Sequence, residues 1–503
     1  MLGIPVENER QDDNPVGARP LAQWASSPGG LSMLRSGAVG RDRAKRGDEV
    51  ARRIEADVMA AGWREGDILG SEAELLQRYG VSRAVLREAV RVVEYLGVAR
   101  MRRGPGGGLV VTRPDPSAVV NAVVVYLTFQ QARLEELLDV RAPIEAATAR
   151  LAAERRTEAD LDRLRAHVAD EQEHFFADEI DMHGGIARIT ANPVLELFVE
   201  ILARVQTLYH ESTRLTAANR RLAIGEAVQT HGLILDAIAD RDGDAAARRV
   251  VRHLRRGRDF LNARQLDRTL GFDAISGGSG DVRLAPIVAR RIYTEIVARG
   301  WPVGELLGSE AEVMAQHDVS RSVLREALRL LEFNGIVRTR RGPGGGVFVA
   351  APSEAATVGT MAVYIESRGI TPQQLLEGRQ AVELTAVDIA ISSLDDEKVG
   401  LLEEALEQER QAEDIRVIGH ELHGYVAAIT GNRILHLFMS ALTWLAWHHT
   451  PTVAEGLGLS TEQAARASHH VHTAIVEAII SGDRATARRR MERHLAALMP
   501  LQH

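Results

Sequence analysis

The stretch Ser82-Arg83-Ala84-Val85-Leu86-Arg87-Glu88-Ala89-Val90-Arg91 returns later in the chain as Ser320-Arg321-Ser322-Val323-Leu324-Arg325-Glu326-Ala327-Leu328-Arg329. In each copy arginines stand at i, i+4 and i+8, a spacing that an α-helix gathers onto one side. Val85, Leu86, Ala89 and Val90 form an apolar stripe at helical spacing for the other side. A helix that docks by one face and shows cations on the other suits a phosphate-lined groove. Its residues point to a DNA recognition helix.

The flanking sequence agrees. Val50, Ile54, Val58 and Met59 give an amphipathic first helix over 47–63, which Gly66 and Gly70 break. Ser71-Glu72-Ala73-Glu74 is a capping box, with the acid three residues after the cap. That second helix runs to Gly80, and Ser82 caps the third, which stops at Gly97. A helix, a short glycine-containing turn and a second helix is helix-turn-helix spacing. Val98 to Arg103, the glycine-rich Gly104-Pro105-Gly106-Gly107-Gly108 and Leu109-Val110-Val111 read as two short strands with a flexible tip, a β-wing. The glycines join strand to strand and lack a following Lys-Ser/Thr, so they do not form a nucleotide-binding loop.

The whole plan then repeats. Val50-Ala51-Arg52-Arg53-Ile54 matches Val288-Ala289-Arg290-Arg291-Ile292, Trp63 matches Trp301, and the wing tip recurs unchanged from Arg340 to Gly346. One offset, 238 residues, relates all of them (Arg102 to Arg340, for example). A fixed offset across a whole domain marks a duplication. The organisation expected is a disordered leader over 1–45, winged helices at 46–113 and 283–351, helical domains at 117–266 and 355–500, and a Gly/Ser-rich joint at 267–282.

Composition sets the outer bounds. A chain of 503 residues exceeds one core. The absence of cysteine removes disulfides, thiolate catalysis and Cys-ligated zinc, and fits a reducing interior. No apolar run suits a membrane helix or signal peptide, so a cytoplasmic protein without membrane contact is expected. The net charge of −8 argues against a nucleic-acid partner until its distribution is seen. Residues 46–113 hold 12 Arg against 10 acids, and 283–351 hold 10 against 7. Gly80 to Gly104 alone holds six Arg and two Glu, so positive charge is concentrated on the recognition element.

Together, Ser71-Glu72 before a helix, Gly80-Val81-Ser82-Arg83, Leu86-Arg87-Glu88-Ala89 and the glycine-rich wing resemble the winged helix-turn-helix of the GntR superfamily. The helical domain, opening with Arg141-x-x-x-Glu145 and closing near His253-Leu254, resembles the FCD ligand-sensing domain of the FadR subfamily. The fold implied is mainly α, with two winged helix-turn-helix domains, each followed by an all-α FCD-type bundle. Two departures stand out: Gly70 and Gly308 replace the family's usual proline, and Ala73 and Ala311 replace a commonly basic position.

The resemblance implies a ligand-responsive transcriptional regulator, a repressor rather than an enzyme, on a double-stranded DNA operator. Ser82, Arg83, Arg87 and Arg91, with Ser320, Arg321, Arg325 and Arg329, would meet bases or phosphates. Arg91 and Arg329 lie farther along, where phosphate or an acidic neighbour is the alternative partner. Arg102, Arg103, Arg340 and Arg341 would set the wings on the backbone or in the minor groove. With both units in one chain, an intramolecular pseudo-dimer on an imperfect palindrome is expected, with further homodimerisation open.

The bundles carry a second constellation. Glu179 and His183 share a helix face at i, i+4, and His231 and His253 lie on later helices. Three imidazoles and a carboxylate can surround a divalent metal, zinc or similar. His423, His472 and His494 hold the equivalent places, but Gly419 replaces the carboxylate. The second site either binds metal weakly, takes a carboxylate-bearing effector as fourth donor, or is vestigial. Arg141 and Arg379 are candidates to anchor the carboxylate of a small organic acid; ion pairs to Glu145 and Glu383 at i+4 are the alternative. A metal-dependent enzyme built on the bundle is the rival function.

Overall fold

The computed structural model describes residues 43–104, 106–174, 182–211, 217–262, 284–340, 342, 344–411, 415–449 and 461–498. The leader and the interdomain joint therefore fall largely outside the described residues. Each winged domain is three helices and a small sheet: α1 (Arg43–Ala60), β1 (Ile68–Gly70), α2 (Glu72–Tyr79), α3 (Arg83–Tyr95), β2 (Ala99–Arg102) and β3 (Gly108–Val111). The capping box is present, with Ser71 accepting from the Glu74 N–H and Glu74 accepting from the Ser71 N–H. Ser82 caps α3 by accepting from the Val85 N–H.

The wing has three strands where two were expected. Short β1 pairs antiparallel with β3, giving the order β1-β3-β2. The glycines of the wing serve more than flexibility. A Cβ on Gly108 would come within 2.6 Å of the Gly70 carbonyl oxygen, so the two strands meet only because Gly108 has no side chain. Trp63 fixes the sheet to α1 by donating its indole N–H to the Thr112 carbonyl at 2.8 Å.

The first sensor domain comprises α4 (Pro116–Phe129), α5 (Leu134–Arg155), α6 (Glu158–His174), α7 (Met182–Ile189), α8 (Pro193–Glu211), α9 (Ala217–Ala239) and α10 (Gly243–Asn262). The second half repeats the plan: α11 (Leu284–Ala298), β4 (Leu306–Gly308), α12 (Glu310–His317), α13 (Arg321–Phe333), β5 (Val337–Arg340) and β6 (Gly346–Val349). Its bundle is α14 (Glu354–Ser367), α15 (Pro372–Ser392), α16 (Asp396–Gln411), α17 (Ile415–Ile429), α18 (Arg433–His449), α19 (Thr461–Ile480) and α20 (Arg484–Ala497).

The two bundles share one apolar core. Val123, Leu137 and Phe198 of the first belong to the same cluster as Met361, Val382 and Phe438 of the second, and Phe198 stacks on Phe438 with ring centroids 4.0 Å apart. Each winged domain, moreover, completes its core with the opposite half. Val363 of α14 joins the core of the first winged domain, and Val125 of α4 joins that of the second. Phe129 meets Trp301 edge-on at 5.4 Å. Each winged domain thus rests on the first helix of the other half's bundle.

The first winged domain also buries a carboxyl. Glu55 on α1 is 7% exposed, and burial pushes its pKa up to about 7 against the pull of Arg52. A carboxyl raised in the fold favours folding while protonated, so this contribution is full below about pH 4.5 and is lost as pH rises toward 7. Glu55→Gln removes that slope and stabilises α1 at pH 8 by about 2–3 kcal/mol. Hydrogen exchange of the α1 amides at pH 5 and 8 checks it; equal protection of wild type and variant at pH 8 would count against it.

Candidate DNA-facing helices and sensor sites

Arg83, Arg87 and Arg91 on α3 are all exposed, as are Arg321, Arg325 and Arg329 on α13. Leu86, Ala89 and Val93 on the reverse face are buried, as are Leu324, Ala327 and Leu331. Local ion pairs hold some of the arginines. Arg83 Nε lies 4.0 Å from Glu72, Arg325 lies 3.3 Å from Glu310, and Arg91 pairs with Glu88 at 3.2 Å. All three pairs are solvent-exposed and worth little, so a phosphate can displace them. Among the described residues Arg87, Arg321 and Arg329 have no ion pair. Ser82 and Ser320 are exposed, and each accepts a backbone N–H as the helix cap, a role that leaves the hydroxyl proton to donate.

In the wings, Arg102 donates to the Gly106 carbonyl at 2.9 Å, and the Arg340 guanidinium lies 4.6 Å over the Phe348 ring. Arg103 is exposed. Arg341 lies outside the described residues.

The sensor histidines converge. His183 on α7, His231 on α9 and His253 on α10 bring one ring nitrogen each within 4.8 Å of one another, and so do His423, His472 and His494. Corresponding ring centroids are 5.3, 5.1 and 4.6 Å apart in the first site and 5.3, 5.2 and 4.6 Å apart in the second. Glu179 lies outside the described residues. Gly419 lies one turn before His423 on α17.

What surrounds the rings fixes which nitrogen faces inward. His183 Nδ1 bonds Glu145 Oε2. Thr230 Oγ1 donates its own proton to a backbone carbonyl of its helix, so at 2.8 Å it accepts from His253 Nδ1–H. In the second site His472 Nδ1 donates to Glu409 at 2.7 Å, and His423 Nδ1 sits 2.5 Å from Glu383 Oε2. The hydrogen bonds of His183, His253 and His472 each leave Nε2 as a bare lone pair, and a proton on His423 Nδ1 facing Glu383 would do the same there. Yet His231 and His253 face each other Nε2 to Nε2 at 3.3 Å, and His494 Nε2 lies 3.2 and 3.0 Å from those of His423 and His472.

Lone pairs aimed at one another repel unless a proton or cation lies between them. Nitrogens bound tetrahedrally to zinc at 2.0–2.1 Å are roughly 3.3 Å apart, so the spacing fits the metal. Burial also keeps His253 well below the usual imidazole range and lowers His423 against the pull of Glu383, favouring the neutral form a metal requires.

Arg141 and Arg379 take the ion-pair alternative. Arg141 is buried and binds both Glu145 and Gln206. Arg379 Nε donates to Glu383 at 2.6 Å. Because Ala446 stands where the first half has Gln206, Arg379 keeps only the Glu383 contact among the described residues. Glu145 and Glu383, anticipated only as arginine partners, therefore also orient a histidine in each site. Burial works to raise the Glu383 carboxyl, but Arg379 and then His423 overcome it and hold it at about 2. Glu409 and Thr230 went unnoticed in the sequence, where each looks like one more polar helix residue.

Two winged helices and two sensor bundles in one chain define a duplicated DNA-binding regulator. The family model "FCD domain" matches residues 136–256 and 374–497, and "Bacterial regulatory proteins, gntR family" matches residues 46–109 and 284–349. The chain belongs to the GntR family of bacterial regulators, with the family's two-domain unit present twice.

It is similar to the HTH-type transcriptional regulator LutR of Bacillus subtilis, 27% identical over 209 residues, or 40% of this chain and 93% of the relative. The HTH-type transcriptional repressor NanR of Citrobacter rodentium is 27% identical over 42% of this chain and 84% of its own length. The galactonate operon transcriptional repressor of Escherichia coli is 28% identical over 36% and 81%. A solved Streptococcus agalactiae GntR structure, 22% identical, covers 42% of this chain and 97% of its own, with a TM-score of 0.34. These relatives are transcriptional regulators, not enzymes. No helix among the described residues is long and apolar enough to cross a membrane.

Proposed function

We propose that this chain is a FadR-type repressor. It would read an imperfect palindrome through α3 and α13, under control of a divalent metal and a small carboxylate effector in its bundles. The observation that carries the proposal is the pair of exposed arginine faces on two capped helices, each seated on the opposite half's bundle.

Arg83 and Arg87, and Arg321 and Arg325, supply planar donors suited to guanine O6 and N7. Arg91, Arg329, Arg102, Arg103, Arg340 and Arg341 supply phosphate contacts. Two units on one face of the duplex address half-sites about 34 Å apart. Ala84 against Ser322 and Gly80 against Asp318 make the two reading heads unequal, so the half-sites need not match.

His183, His231 and His253 would hold one metal and His423, His472 and His494 another; bound, the metal offers a Lewis-acidic position to an effector carboxylate. Arg379, less saturated than Arg141, is the better placed of the two to share that carboxylate. Coupling runs through the crossed seating. An effector that favours one placement of α4 or α14 shifts the winged domain resting on it, and DNA shifts the effector's affinity reciprocally.

Selection of bound DNA from a random pool at fixed salt tests the reading. Arg87→Ala and Arg325→Ala each weaken discrimination by about 1–3 kcal/mol, and each at one half-site only. Loss at the same positions in both variants, or a wild type that needs a second chain to bind, would overturn it.

A further inference from the structure

The contact between the halves has a symmetric part and an asymmetric part. Phe198 and Phe438, equivalent residues, stack on one another. Asn192 donates to the Gln374 carbonyl at 2.9 Å, and its counterpart Asn432 donates to the Glu136 carbonyl at 2.8 Å. These contacts obey a pseudo-twofold axis and would form equally between two copies of the same half.

The charged contacts do not obey it. Arg433 Nη1 lies 2.5 Å from Glu136, and the Arg433 backbone N–H also donates to that carboxylate at 3.0 Å. The equivalent pair on the other side of the axis is Pro193, which has no backbone N–H, and the uncharged Gln374, whose side-chain amide donates instead to the Ala191 carbonyl at 2.7 Å. Arg155 bonds Glu377 at 2.5 Å; the equivalents are Ser393 and Asp139. Arg368 lies 3.5 Å from Glu196; the equivalents are Gln130 and His436. On that side His436 bonds Glu354 at 3.1 Å instead, and Tyr126 donates to the same carboxylate at 2.9 Å. Among the described residues, three ion pairs cross between the halves and none has its mirror image.

We infer that the joining face is complementary rather than self-complementary, so that each half recognises the other and rejects its own copy. Two first halves would set the buried Glu136 against Pro193 and Glu196 against Gln130, losing two of the three bridges and keeping only a shorter-armed one, Arg155 against Asp139. Two second halves would set Glu377 against Ser393, Arg433 against Gln374 and Arg368 against His436. Specificity built from pairs that exist in one arrangement only is a difference of affinities, and here it opposes exchange of halves between chains. The inference rests on the pseudo-dimer proposed above and adds which partner that face accepts: the other half of this chain, not a second copy of the same half.

The test begins with full-length protein carrying a protease recognition sequence between Gly277 and Gly278. The protein is cleaved after folding, carried through unfolding and refolding, and weighed by native mass spectrometry. Pairs of one first and one second half should exceed homotypic pairs by more than roughly tenfold. Installing the missing bridge with Pro193→Arg and Gln374→Glu makes the most buried of the three bridges symmetric and should bring homotypic pairs up toward the statistical mixture. If that variant does not refold, Glu136→Gln with Arg433→Pro erases the bridge and should relax the preference in the same direction.

A statistical mixture from the cleaved wild type overturns the inference while leaving the pseudo-dimer standing. Halves that separate as monomers overturn both.

Discussion

Glu383→Ala destabilises the second sensor domain by about 3–5 kcal/mol, the loss typical of breaking a buried ion pair from one side. Glu383 is 1% exposed and Arg379 7% exposed, and the same carboxylate also meets His423. Removing it leaves the guanidinium buried without its counter-ion and frees His423 to turn. Glu383→Gln keeps the shape and one acceptor but not the charge, and so costs less than Ala. The first half gives an internal comparison. Glu145→Ala strands Arg141 in the same way, but Gln206 still holds one end of that guanidinium, so the loss is smaller. Urea unfolding of metal-free full-length variants, followed by hydrogen exchange to assign the transition to a bundle, measures both. A change below 1 kcal/mol for Glu383→Ala would mean that water reaches the site and solvates Arg379.

How much of this was legible in the sequence depended on the range of the interaction. The capping boxes, the turn at Gly80 and the arginine rows are set within a few residues, and their spacing alone located α2 and α3. The duplication was legible because one offset held across a whole domain. Strand β1 was not: it is three residues long, has no alternation, and exists only because Gly108 lets the distant Gly70 carbonyl come close. The crossed seating was not legible either. Periodicity shows that Val125 and Val363 face something apolar, but not that the partner belongs to the other half. In the sites, three histidines per bundle could be chosen by type and spacing. Their orienting partners could not, because Glu145 already had an adequate partner at i+4 and Glu409 acts across helices.

Metal removal gives the second large effect. If the histidine clusters hold metal as proposed, the full-length chain binds two equivalents, and free metal at 100 to 1,000 times the dissociation constant stabilises each bundle by about 2.7–4.1 kcal/mol. Chelation should then lower both bundle transitions. His231→Ala should abolish the response of the first alone and His472→Ala that of the second alone. Orienting residues separate a metal site from a merely packed cluster. Glu409→Gln leaves all three imidazoles present but loosens the tautomer and aim of His472, so metal affinity of the second site should fall about 10–100-fold. Thr230→Val should act on His253 in the same direction, and more weakly, since a neutral hydroxyl polarises an imidazole less than a carboxylate does. Titration calorimetry on chelator-stripped protein reads stoichiometry and affinity together. Unfolding that ignores chelator, with no equivalent bound, would mean that His494 donates an Nε2 proton to its neighbours and that the cluster is held by hydrogen bonds alone.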